Sequence, residues 1–242
     1  MSADLASSAH ASPAESATRA ALHAAVAAAA WAVLHSVLAS HAAKRRATHL
    51  VGERTARTWY RVAYNAQAVV TTAALGAYVW RHRGPVLWDA QGAARLLVRG
   101  AQAAALATFA RALYDGGLGD LSGARPVADR LAGRPLRPIP DGQGPVENDA
   151  GQPAPRGLSF HTRNPANAFI VPVLWIAPRV RAGWAGMSAV FTAYSVAGSF
   201  HAERMMRARW SESFAAYQRS GVPFLLPNRH PVRPLPPVAP PA

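Results

Sequence analysis

Five apolar stretches, each close to the length of a bilayer crossing and separated by arginine-bearing or Pro/Gly-rich sequence, constrain this chain more than any other feature. A helix needs about 20 mostly apolar residues to cross a hydrocarbon core of about 30 Å. The stretches run from Ala20 to Ala39, Val62 to Trp80, Ala93 to Leu113, Ala166 to Val180 and Trp184 to Phe200. In the third, Arg95, Arg99 and Gln102 share one face by helical spacing, a pattern compatible with an interfacial helix. The fourth is short and carries Pro172 and Pro178, which predicts a kink whose freed carbonyls need partners inside a bundle. The expected fold class is all-α, a polytopic membrane helical bundle of about five transmembrane segments with a C-terminal helical hairpin and a cytoplasmic basic helix. A secretory signal peptide is a second reading of the first stretch, since Arg19 precedes it and Ser40 and Ala42 follow; its Ala-rich length and the later segments favour a span.

Charge gives an orientation. Lys44, Arg45, Arg46, Arg54, Arg57 and Arg61 lie between the first two stretches against Glu53 alone, so the positive-inside rule predicts a cytoplasmic loop and an outer N-terminus. Five crossings then place Tyr114 to Asn164 and the tail after His201 in the cytoplasm, and that tail carries Arg204, Arg207, Arg209, Arg219, Arg229 and Arg233. The outer loops keep Arg81, Arg83, Arg179 and Arg181, so the bias is one of degree. The expected location is the inner (cytoplasmic) membrane. A net charge of +14 also suits a nucleic-acid binder. Here the arginines collect beside apolar runs, so the expected partner is the lipid bilayer and no nucleic acid. The oligomeric state is not encoded in any pattern we recognise. With no cysteine, disulfides, thiolate metal sites and cysteine nucleophiles are excluded.

Five regions follow. Residues 1–18 are Ala/Ser-rich and expected to be a disordered tail; 19–114 hold the first three membrane helices. Residues 115–156 form a Pro/Gly-rich cytoplasmic loop whose prolines exclude a long helix and which reads as a linker or a lid. Residues 157–227 hold the C-terminal hairpin, and 228–242 a Pro-rich tail.

The order Arg163-Asn164-Pro165-Ala166-Asn167, two apolar runs, His201-Ala202-Glu203-Arg204, then Trp210, Phe214, Tyr217 and Val222-Pro223-Phe224-Leu225-Leu226-Pro227 resembles the C-terminal signature of the isoprenylcysteine carboxyl methyltransferase superfamily. Trp31 to Ser40, Lys44 and Tyr60-Arg61-Val62-Ala63-Tyr64-Asn65 are similar to the N-terminal signature of its methanethiol S-methyltransferase branch. Together the two halves cover residues 31–114 and 157–227. The resemblance implies an integral membrane enzyme that moves a methyl group from S-adenosylmethionine to a small thiol or lipophilic acceptor. It departs from the family pattern where Asn164 stands for a histidine and Ala202 for the first of two glutamates. A catalytically degenerate member serving as a membrane scaffold or accessory protein is the alternative.

The resemblance implies donor binding by Arg163, Asn164, Pro165, Asn167, Glu203 and Arg204, with His161, Arg163 and Glu203 as catalytic candidates. The chemistry suits these types. A carboxylate meets amino or ribose groups, a guanidinium meets the donor's carboxylate, and amides offer both donors and acceptors. A thiol must lose its proton, and His161 is the nearest base on the C-terminal signature. His35, Tyr64, Asn65 and Tyr194 are the candidate acceptor-binding residues, His35 because intramembrane ionisable groups are functional candidates. Plainer readings stand beside these: Glu203 and Arg207 as an i,i+4 pair, Arg163 and the Tyr60 to Asn65 group as interfacial anchors, and Met206, Trp210, Phe214 and Tyr217 as a packing stripe. No metal site is expected, because the nine histidines lack carboxylate partners at ligand spacing. Gly116-Gly117-Leu118-Gly119 lacks the strand and helix of a phosphate loop.

Overall fold

A computed structural model describes residues 12–139, 144–148 and 151–232, and the protein is mostly helical. Helix α1 (Pro13–Ala39) opens on a reciprocal cap: Ser12 Oγ accepts from Glu15 N (3.2 Å), and Glu15 Oε2 accepts from Ser12 N (2.6 Å). Proline at the first helical position gives up no needed hydrogen bond. Residues 13–18 are therefore helical, which corrects the expected disordered tail; residues 1–11 lie outside the described residues. Ser40 ends α1, and its hydroxyl caps α2 (His41–Val51) through Ala43 N (3.2 Å). The basic stretch is thus α2 and the first turns of α3 (Glu53–Arg81), rather than an open loop.

Strand β1 (Val86–Asp89) leads to α4 (Gly92–Asp115). The segment expected as a loop over 115–156 instead carries α5 (Leu118–Ser122), α6 (Ala124–Leu131) and the antiparallel pair β2 (Val146–Glu147) and β3 (Pro153–Ala154). Gly123 in the left-handed region turns the chain between α5 and α6. Pro126 sits in the first turn of α6, where no N–H is needed, so a short helix forms where a long one is barred. A 3₁₀ turn (Gly157–Phe160) precedes α7 (Pro165–Trp175).

The fourth apolar stretch is not one helix. It stops at Trp175, and β4 (Arg179–Arg181) pairs antiparallel with β1, Arg179 opposite Asp89. Arg179 donates to Asp89 Oδ2 through Nε (2.9 Å) and Nη2 (2.6 Å), which holds that carboxyl below its ordinary range. Pro178 has no N–H for the Leu174 carbonyl four residues earlier. That carbonyl accepts instead from Trp184 Nε1 (2.7 Å) and Ser188 Oγ (3.3 Å), the bundle-internal partners a proline break demands. Helix α8 (Ala182–Arg219) contains the fifth stretch and the basic extension, with a break at Ser211 (φ 39°, ψ −106°).

Small residues set the packing. Ala20, Ala24, Ala28 and Ala32 form a buried i,i+4 stripe on α1, which packs chiefly against α8. At Gly186 a Cβ would lie 2.2 Å from the Ala21 carbonyl oxygen, so the two backbones nearly touch. Ser188, Ser195 and Ser199 are buried, while Val26, Val69, Leu96 and Leu97 are 69%, 69%, 72% and 75% exposed. Thus α1, α3 and α4 turn several large apolar side chains outward, while the α1–α8 seam uses small and hydroxyl-bearing ones around a core that includes Leu75, Val79 and Met187. Among the described residues one helix, α1, is long and apolar enough to cross a membrane.

Candidate functional site

A cavity of about 900 Å³ lies at the end of the bundle opposite the β1–β4 pair, between α1, α3 and α8, with residues 116–138 and 144–147 folded against it. That segment is tied down by backbone chemistry: Arg61 Nε and Asn65 Nδ2 both donate to the Leu121 carbonyl (2.9 and 2.8 Å), and Arg57 Nη1 donates to the Leu136 carbonyl (3.1 Å). All four candidate acceptor-binding residues, His35, Tyr64, Asn65 and Tyr194, line this cavity. Tyr64 Oη lies 2.5 Å from His35 Nε2, and Tyr194 Oη lies 3.0 Å from Ser36 Oγ. Two adjacent residues of α1 therefore orient two phenols carried on different helices.

The outer end of the cavity is charged. Glu147 accepts from Arg209 Nε (2.7 Å) and Nη2 (2.8 Å) and from Trp210 Nε1 (3.0 Å), so β2 is fixed to the basic part of α8. Burial pushes the Glu147 carboxyl up, but the hydrogen bonds from Arg209 and Trp210 and the charges of Arg209 and Arg137 outweigh it and hold the group below the ordinary carboxylate range. Asp120, Asp129 and Arg137 also line the cavity.

The residues expected to bind the donor lie elsewhere. Along α8, Gly198, Ala202, Met205 and Arg209 face the cavity, whereas Ser199, Glu203 and Arg207 form the neighbouring stripe. Glu203 is 4% exposed at its side chain. Its Oε1 accepts from Arg163 Nε (2.6 Å), and its Oε2 from Gln218 Nε2 (2.6 Å) and Arg207 Nη2 (3.2 Å). Arg163 also donates to the Val222 carbonyl (2.5 Å). The pairing with Arg207 is present, with its acid end buried rather than exposed. Asn164, 5% exposed, donates through Nδ2 to the Phe224 carbonyl (2.9 Å), and Thr162 Oγ1 donates to the Leu225 carbonyl (3.0 Å). Asn167 donates to Ser199 Oγ (3.0 Å), and His161 Nδ1 to the Asn228 carbonyl (2.8 Å). Pro165 begins α7, and Arg204 is exposed.

This arrangement is a knot that straps Val222–Leu225 onto residues 161–164. None of His161, Arg163, Asn164, Pro165, Asn167, Glu203 or Arg204 lines the cavity. Tyr217 closes the knot by donating its hydroxyl to the Ser159 carbonyl; burial raises the phenol's pKa, opposed by Arg163 and assisted by Glu203. Phe214 and Tyr217 pack with Ala202, Met206 and Val222, so the aromatic stripe is core, and Met206 and Trp210 reach the cavity as well. Among the described residues no cluster of histidine and carboxylate side chains could hold a metal ion.

Sequence reasoning missed Ser36, Asp120, Asp129, Arg137, Glu147 and His201 in the cavity wall. Ser36 follows His35 directly and was within reach of the pattern. The three acids lie in a segment without periodicity, and only its return onto α3 and α8 brings them to the cavity. No family model, no curated protein and no solved structure matches the chain.

Proposed function

We propose that this chain is an integral membrane methyltransferase that uses S-adenosylmethionine and accepts a small or lipophilic thiol. The observation that carries the reading is the single cavity into which the N-terminal group His35, Tyr64 and Asn65 and the C-terminal hairpin residues Tyr194, His201 and Ala202 converge. Its volume lies in the range of small-molecule sites. The exposed apolar side chains of α1, α3 and α4 support membrane embedding. We count about five crossings from α1, α3, α4, the α7 stretch and α8, the fourth needing residues 176–181 as well because α7 is only 11 residues long.

The donor supplies an electrophilic methyl on a sulfonium. The groups drawn from the resemblance do not fit it as they stand, because Glu203, Arg163 and Asn164 are engaged with one another or with backbone. The cavity's own wall offers Arg137 for a carboxylate and Trp210 for an adenine face, while Glu147 and Asp129 are already ion-paired with Arg209 and Arg134. The inner wall, with Tyr64, Tyr194 and apolar neighbours such as Ala197 and Ala39, suits an apolar acceptor shielded from water. The second reading, a scaffold without turnover, is favoured by the closed Glu203 knot and by Ala202, which removes a carboxylate from the cavity wall.

Titration of detergent-purified protein with S-adenosylmethionine should give saturable binding that Arg137→Ala weakens. No binding by the wild type would pass the function to the scaffold reading. The accompanying membrane reading expects reporters fused after Arg57 and after Arg229 on the cytoplasmic side and one near Gly183 outside; opposite sides for the first two would break the five-crossing count.

A further inference from the structure

The inner end of the cavity holds a side-chain pair whose geometry suits proton movement. Tyr64 Oη and His35 Nε2 are 2.5 Å apart. The imidazole is stacked on Trp31, with centroids 4.6 Å apart and planes at 16°, and Tyr194 meets its edge at 6.3 Å and 82°. Arg61 stands 5.2 Å from the centre of the Tyr64 ring. Held by α1, α3 and α8 together, the pair has a fixed orientation. Neither imidazole nitrogen meets a carboxylate: Nε2 faces Tyr64, and Nδ1 is buried without a hydrogen-bond partner. No acid therefore holds the resting ring as imidazolium, and it is available to take a proton. The stacked indole favours the cation once formed, while burial and the nearby charge of Arg61 disfavour it, so the imidazolium is a transient carrier of the proton. His161, by contrast, is bonded to the Asn228 carbonyl and does not line the cavity.

We propose that Tyr64 and His35 form a proton relay that turns a neutral thiol in the cavity into the thiolate required for methylation, an inference that rests on the methyltransferase reading. The S–H proton passes to Tyr64 Oη as the Tyr64 proton passes to His35 Nε2, leaving a thiolate and an imidazolium. A thioether product takes no proton back, so the imidazolium returns its proton through Tyr64 to water. Tyr64 is then the catalytic residue that touches substrate, and His35 acts through it. Arg61, whose charge lies beside the relay, and the Tyr194 hydroxyl favour the anionic sulfur.

The test uses the full chain in detergent with two probes, a small alkanethiol and pentafluorothiophenol, an aryl thiol already ionised at neutral pH. Mixed with the alkanethiol in the absence of donor, the wild type should develop thiolate ultraviolet absorbance, and His35→Asn and Tyr64→Phe should not. With donor present, His35→Asn should lower alkanethiol turnover by about 10²- to 10⁴-fold, while turnover of the ionised aryl thiol stays within a few-fold of wild type. Tyr64→Phe should repeat this selectivity, which keeps the test decisive if His35→Asn does not fold. Equal losses with both thiols, or an unchanged thiolate signal in both variants, would overturn the relay. Wild type that binds no S-adenosylmethionine yet ionises the thiol would defeat the methyltransferase reading and keep the relay; wild type that binds donor without ionising the thiol would do the reverse.

Discussion

Two polar clusters, one built on Glu203 of α8 and one on His35 of α1 with Tyr64 of α3, handle charge in opposite ways. Around Glu203 both carboxylate oxygens are taken, by Arg163 on one side and by Gln218 and Arg207 on the other, while Arg163 also reaches the Val222 carbonyl. At the inner end of the cavity, His35 and Tyr64 bond to one another and both line the open volume, while His35 Nδ1 is buried without a partner. A buried charge is tolerable when its partners are complete, and completeness leaves nothing for a ligand. The comparison teaches that burial and charge do not by themselves mark a site. What separates clamp from site is whether the hydrogen-bonding capacity ends inside the protein.

The largest expected effect comes from breaking the clamp. Glu203→Ala leaves Arg163 largely buried beside a lost anion and should lower unfolding stability by about 3 to 5 kcal/mol. Tyr64→Phe removes one hydrogen bond and should cost about 0.5 to 1.5 kcal/mol. Denaturant midpoints of the two variants in the same detergent measure the contrast. Equal destabilisation would erase the distinction, and a Glu203→Ala protein with wild-type stability and lost donor binding would turn the clamp back into a site.

Much of this architecture was legible in the chain. The five apolar stretches mark the positions of α1, α3, α4, α7 and α8, and Pro178 foretold a freed carbonyl that Trp184 and Ser188 now satisfy. The start of α1 was misread because Ala and Ser composition hid the Ser12 to Glu15 cap, a local signal four residues long. In the candidate site, His35 stood out as an ionisable residue in an apolar helix and Tyr64 and Asn65 through the N-terminal signature, and with Tyr194 they line one cavity. The separation of Glu203 from Ala202 was not anticipated. Adjacent positions on a helix point about 100° apart, and sequence alone does not say which of the two faces the cavity. Asp120, Asp129 and Glu147 depend on a long-range return of the chain that no periodicity records.

Asn164 offers a middle-sized test. The methyltransferase signature that the sequence resembles has histidine there, and introducing it would improve a donor site built as that resemblance implies. In the structure Asn164 is buried and donates to the Phe224 carbonyl, so a larger ring loses that bond and crowds the strap. Asn164→His should therefore destabilise the protein by about 1 to 3 kcal/mol and leave S-adenosylmethionine affinity unchanged. Tighter donor binding in this variant would mean that the knot belongs to the donor site after all.

The smallest effect is predicted at the charged rim, where the cavity's covering segment meets α8 through Glu147, Arg209 and Trp210. The folded-state pKa of Glu147 is depressed, so its contribution is fully present above the unfolded carboxylate value, about 4.3, and is lost as pH falls through the lower folded value. The pair is partly exposed, which limits it to about 1 kcal/mol or less. An acid-active protease applied between about pH 6 and pH 3 should cut wild type near Glu147 more readily as the pH drops. Glu147→Gln should be cut more readily than wild type at the upper end and show little further change. A wild-type segment equally protected across that range would mean that Arg61, Asn65 and Arg57, which donate to its backbone, hold the segment without the Glu147 contact, and that the rim is as closed as the clamp.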